Sequence, residues 1–126
     1  MSEAADMARP KDGTMVRILM ANEPRAYRDG IAAVLKELRP GIEVTTVEPD
    51  ALDGCIPRLT PDMVVCNRAT GVVREEVPVW VELYPDYAPW SVVSVRGVRS
   101  TMAEIQLPDL LSIVDQTVSA SPRSRD

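Results

Sequence analysis

Three polar residues stand where apolar, strand-like runs end, and they hold most of the chain's capacity for chemistry. Asn22 and Glu23 follow the run 16–21, and Asn67 follows the run 63–66. In an open α/β sheet such positions converge at the carboxyl edge, where ligands bind. One carboxylate between two carboxamides can hold a small polar molecule or a weakly bound cation. The alternative is purely structural, with Asn22 and Asn67 capping turns and Glu23 solvated. An amide is neither nucleophile nor base, so Asn67 brings no covalent chemistry.

The other reactive residue types are sparse. The chain has no histidine, which removes histidine triads, histidine metal sites and histidine proton shuttles. Its two cysteines, Cys55 and Cys66, form no Cys-x-x-Cys pair, so neither a zinc site nor a thioredoxin-type motif is expected. Cys66 lies inside an apolar strand and reads as a buried structural thiol without an activating base. None of the six glycines forms a phosphate-cradling motif. No catalytic residue, metal site or cofactor is therefore expected, and an enzyme is the weakest of the functional readings.

A second group is aromatic. Trp80, Tyr84, Tyr87 and Trp90 crowd around one turn of a chain that has no phenylalanine. They make either a binding or dimer surface or a satellite core that fixes the turn, with Trp90 the more interface-like. Ile113, at the margin of the last helical stripe, either widens the buried face or reaches a second subunit. Glu75, Glu76, Glu82 and Asp86 read as ordinary surface charge, and Arg17, Arg96 and Arg99 as solvated or paired.

These residues need elements to position them. The run 16–21 fits a strand covered on both faces. Asn22 can cap the helix that follows, and Pro24 suits its first turn. Tyr27, Ile31, Val34, Leu35 and Leu38 make a helical stripe that ends at Arg39-Pro40-Gly41. A second strand over 42–47 precedes a short helix bearing Leu52, Cys55, Ile56 and Leu59, which Pro57 must kink or shorten. The third strand, 63–66, is the most apolar and so belongs in the centre. Gly71 to Val77 offers a turn or two of helix. Strands are expected over 78–84 and 90–95, and the gap between them is too short for a parallel crossover, so they should form an antiparallel hairpin. Residues 101–105 can add a short edge strand. Leu107, Leu110, Leu111, Val114 and Val118 define a closing helix. The segments 1–14 and 119–126 read as a disordered leader and tail around a single domain, 15–118.

The stretch Ile-Leu-Met-Ala-Asn-Glu-Pro-Arg-Ala-Tyr-Arg-Asp-Gly-Ile, from Ile18 to Ile31, is similar to the opening of response-regulator receiver domains that precede helix-turn-helix modules. Pro61-Asp62 followed by apolar residues and Asn67 resembles the receiver's third strand. The resemblance covers residues 16–67. It implies an α/β, flavodoxin-like (receiver-type) three-layer sandwich around a mostly parallel sheet, here with a hairpin replacing the helix between strands four and five. Receiver chemistry requires two acids after strand one, an acceptor aspartate after strand three, a Ser or Thr after strand four and a Lys after strand five. This chain has Asn22-Glu23, Asn67 and Leu83-Tyr84 at the first three positions. Its only lysines, Lys11 and Lys36, fall elsewhere. The resemblance thus implies a pseudo-receiver with a degenerate phosphorylation pocket at Asn22, Glu23 and Asn67.

With 126 residues and a net charge of -5, the chain is one acidic domain, unsuited to bind nucleic acid directly. It has no membrane-length apolar run and no signal pattern, so a cytoplasmic protein is expected. The expected function is a non-phosphorylated regulatory or interaction module in signalling or transcription control. It would work by docking to a protein partner or by homodimerisation. A small-molecule sensor built on the altered pocket is the alternative.

Overall fold

Runs of apolar residues too short for helices, separated by helical stripes, give this chain alternating strands and helices. The computed structural model describes residues 15–120; the expected leader, 1–14, and residues 121–126 of the expected tail lie outside the described residues. Strand β1 (Val16–Met20) leads into helix α1 (Arg25–Leu38), then β2 (Ile42–Thr46). A 3-10 turn (Pro49–Ala51) opens helix α2 (Leu52–Leu59), followed by β3 (Met63–Cys66), α3 (Gly71–Glu76) and β4 (Val79–Glu82). A second 3-10 turn (Pro85–Tyr87) connects to β5 (Ser91–Val95), β6 (Val98–Met102) and the closing helix α4 (Leu107–Ala120). Ser119 and Ala120 therefore belong to α4 and not to a tail.

The six strands form one mixed sheet in the order β2-β1-β3-β4-β5-β6. The first four are parallel, with Met63 opposite Val79 and Val65 opposite Val81 across β3 and β4. β5 runs antiparallel to β4, and β6 antiparallel to β5. A flavodoxin-like parallel sheet is thus not what the whole sheet forms: its last two strands turn back as a meander. The edge strand is β6, three residues earlier than the expected 101–105. It begins there because Arg96 and Gly97 both take positive φ, 52° and 87°, the geometry of a tight two-residue hairpin turn.

Each face of the sheet has its own core. Ile18, Met20, Met63, Val65, Val79, Val81 and Val93 face α1 and α4, whose Ala32, Leu35, Leu110, Ile113 and Val114 pack on them. Leu19, Val64, Cys66 and Trp80 face α2 and α3. The alternation of side chains along β1, β3 and β4 supplies both faces, so β3 is apolar throughout and β1 and β4 are apolar but for Arg17 and Glu82 near their ends. α1 packs about one residue away from the stripe read in the sequence. Its buried residues are Arg28, Ala32 and Leu35, while Tyr27, Val34 and Leu38 remain exposed. Small Ala32 lets the helix approach the sheet. Arg28 can be buried because its Nη1 donates to the Val47 carbonyl (3.0 Å), and its Nη2 to Glu48 Oε2 (3.1 Å).

Pro57 does not stop α2, which ends two residues later where Thr60 takes a left-handed φ of 43°. Arg17 Nη1 donates to the Leu59 carbonyl (2.8 Å), satisfying an end group that the helix cannot. Arg39, just past α1, makes a two-pronged contact with Asp115 on α4, at 2.7 and 2.9 Å, and clasps the two helices of one layer. Its guanidinium holds the Asp115 carboxyl below the usual range.

The sign of that shift gives a test. Stability from the clasp is present above the ordinary aspartate pKa, ~3.9, and is lost as pH falls through the lowered folded value. Asp115→Asn should be less stable than the parent in urea at pH 7. The difference should close at pH 2–3; a gap that persists there would assign the loss to packing instead.

Candidate functional site

Two of the three polar residues singled out in the sequence, Glu23 and Asn67, come together through one amide. Asn67 follows β3 at the carboxyl edge of the parallel strands. Its Oδ1 accepts from the Glu23 N–H at 2.5 Å, and its Nδ2 donates to the Leu83 carbonyl at 3.0 Å. The side chain therefore ties the β1–α1 loop to the end of β4. Both halves of the amide are needed, since a carboxylate offers only acceptors. Around this tie lies a cleft of about 570 Å³ lined by Glu23, Pro24, Asn67, Arg68, Tyr84 and Tyr87. The pocket residues and two of the turn aromatics, read separately in the sequence, thus share one surface.

Glu23 is half exposed, and its Oε2 lies 3.5 Å from Nη1 of the buried Arg28. That guanidinium, shared with Glu48, partly offsets the one carboxylate in the cleft. Among the described residues, no three Cys, Asp or Glu side chains gather in a way that could hold a metal ion. Asn22 does not join the cleft wall. It is fully buried, and neither Oδ1 nor Nδ2 has a hydrogen-bond partner within the protein. It does not cap α1 either: Pro24 holds that position, in extended conformation.

The loop carrying the tyrosines is held at several points. The Tyr84 N–H donates to Ser91 Oγ (3.1 Å), and Tyr84 Oη accepts from the Ile105 N–H (3.2 Å). Tyr84 and Tyr87 have positive φ, 47° and 62°, which bulky residues seldom adopt. Such outliers persist only where surrounding contacts enforce them. Tyr87 is fully exposed and Trp90 is 46% exposed, so a surface of aromatic side chains borders the cleft.

Two of the five residues offered as interface lie instead in the core. Trp80 is 3% exposed, with Arg74 and Arg99 stacked over its ring at 5.8 and 5.3 Å. Ile113 is 4% exposed and sits at the middle of the buried face of α4. It is central because the helix turns Leu110, Ile113, Val114 and Thr117 inward, with Leu107, Leu111 and Val118 at the margins.

Glu82 likewise departs from its expected role as surface charge. It is buried, its Oε2 accepts from the Ala69 N–H (2.7 Å), and Arg74 approaches the same oxygen at 3.6 Å. Cys66 lies beside it at the end of β3. Burial first, and the nearby Glu82 charge second, push its thiol up to about 12. The arginines follow the paired reading, with Arg17 on Glu43 and Arg99 on Trp80. Arg28 and Arg68, which the sequence analysis assigned no role, belong to the site or its support. The one signal for Arg28 was its place one residue after Tyr27, on the neighbouring stripe of α1.

Compared with protein-family models, with curated proteins and with solved structures, the chain matches none. The site's own geometry therefore carries the functional argument.

Asn67→Asp turns a donor into a second acceptor against the Leu83 carbonyl and should cost about 1–3 kcal/mol in urea unfolding at pH 7; an unchanged midpoint would show that the tie contributes nothing. The Cys66 thiol should resist a disulfide reagent at pH 8 until the chain unfolds. Its raised pKa also means that only the unfolded chain ionises this group between about pH 9 and 12, so folding stability falls as pH rises through that window. Cys66→Ala should flatten that alkaline slope, and an equal slope in both proteins would refute the assignment.

Proposed function

We propose that this chain is a receiver-like regulatory module that works by docking to a protein partner and not by phosphorylation. The observation that carries the reading is the double hydrogen bond of Asn67. At the position where a receiver presents its acceptor carboxylate, this chain has an amide engaged on both sides as a structural tie. The surrounding groups support the same view, because Glu23 is the one acid left after β1 and it leans on Arg28. The parallel strands β2-β1-β3-β4, with helices on both faces, are compatible with a three-layer α/β fold, which supports reading the chain as a receiver-like scaffold whose far side is a meander. Exposed Tyr84, Tyr87 and Trp90 offer the kind of aromatic surface on which protein interfaces centre. A module of this kind is constitutively competent, needs no kinase, and influences signalling or transcription through another chain.

A second reading keeps the same cleft and fills it with a small molecule. Its size and its two tyrosines favour that reading, and the loop that carries them would sense occupancy. A melting shift with one class of metabolite would select it over docking.

The test is an amide NMR titration with Mg2+, then with Mg2+ and beryllofluoride, a mimic of the phosphoryl group on aspartate. The amides of Asn22, Glu23 and Asn67 should stay in place. Large saturable shifts there would mean that receiver-type ligands still bind, and the docking reading would lose its basis.

A further inference from the structure

Of the sheet's two edge strands, β6 is the more exposed. Val98, Arg99, Ser100 and Thr101 are all exposed, Val98 at 72%, and Met102 is half-buried. Proteins usually guard such an edge with proline, a bulge, an outward charge or a covering element. β6 has no proline, and its five residues pair with β5 in unbroken register. Its single charge is drawn back onto its own subunit, with the Arg99 guanidinium 5.3 Å from the Trp80 ring centre.

The hairpin turn sets which backbone groups face outward. Val95 and Val98 flank a two-residue turn and so form a hydrogen-bonded pair. Alternation then makes Ser100 and Met102 bond inward to β5 and leaves the N–H and C=O of Arg99 and Thr101 pointing away from the sheet. Among the described residues no other strand pairs with them.

This phase is self-complementary. Turn a second copy about a two-fold axis through Ser100, and Arg99 of each copy lies opposite Thr101 of the other. Those are the residues with outward groups, so the two copies exchange four backbone hydrogen bonds. Ser100 meets its own equivalent, Val98 meets Met102, and no like charges oppose each other. Val98, Ser100 and Met102 share a face with Val93 and Val95, so the pairing also continues the apolar layer that packs on α4.

We propose that β6 is a self-recognition edge, through which two copies of this chain join their sheets antiparallel about an axis at Ser100. The inference goes beyond the docking reading and uses none of the residues that line the cleft, so either can fail without the other.

The experiment is sedimentation of the full chain from roughly 1 µM to 1 mM, a range that brackets weak association. Ser100→Lys and Ser100→Glu each place like charges on the axis and should weaken the dimer ~tenfold or more. An equimolar mixture of the two should associate more tightly than either alone, as a heterodimer. Thr101→Pro removes an outward N–H that the single subunit does not use, and once shown to be folded it should remain monomeric. A parent that stays monomeric throughout would overturn the proposal. So would a dimer indifferent to both charges, a mixture that fails to associate, or a folded Thr101→Pro that dimerises like the parent. The charge pair lies on an exposed position and keeps the test decisive should Thr101→Pro fail to fold.

Discussion

The connection from Leu83 to Trp90 is too short to cross the sheet and return parallel, and much of the molecule follows from that constraint. β5 must turn back beside β4. No crossover helix can then lie between them, so the connecting 3-10 turn stays at the carboxyl edge and brings Tyr84 and Tyr87 to the loops that carry Glu23 and Asn67. β5 in turn needs a neighbour on its far side, and the tight turn at Arg96-Gly97 supplies β6. The cleft and the bare edge are thus two results of one short loop.

Two buried charges show how the rest is held. Arg28 lies under α1 against the Val47 carbonyl and two carboxylates, and Glu82 lies under α3 against the Ala69 N–H and Arg74. In each case the buried charge is held by backbone hydrogen-bonding groups together with partners about half in water, so the hydrogen bonds carry much of its compensation. Both sit near the carboxyl edge, where loops lack a ladder of their own. They do there what the strand pairing does in the middle of the sheet.

The parts legible in the sequence were those decided by local pattern. β1 and β3 stood out because strands covered on both faces are apolar at nearly every position, Arg17 near the start of β1 being the one exception. The hairpin stood out because loop length alone forbids the alternative. The parts that were not legible depend on distant partners. Nothing near Glu82 in the chain announces that Ala69 and Arg74 will receive it. Nothing near Arg28 announces Val47 and Glu48, so the stripe through Tyr27 and Leu38 looked like the buried one. Trp80 was ambiguous for the same reason, since only pairing with Ser94 and the arginines above it decide that its ring faces inward. Of the pocket residues, Glu23 and Asn67 meet as their positions at strand ends require. Asn22, equally placed by spacing, turns inward.

The two tryptophans sit in opposite surroundings, and this gives the molecule a pair of built-in optical reporters. Trp80 is sealed beneath two guanidinium groups in the α2/α3 layer, whereas Trp90 stands half in water beside the tyrosine loop. Emission from the first tracks the integrity of the interior, and emission from the second tracks what covers the loop. With Trp90 replaced, fluorescence reports the interior; with Trp80 replaced, it reports the surroundings of the tyrosine loop in the folded chain. A single unlabelled chain thereby carries one reporter for its interior and one for its surface.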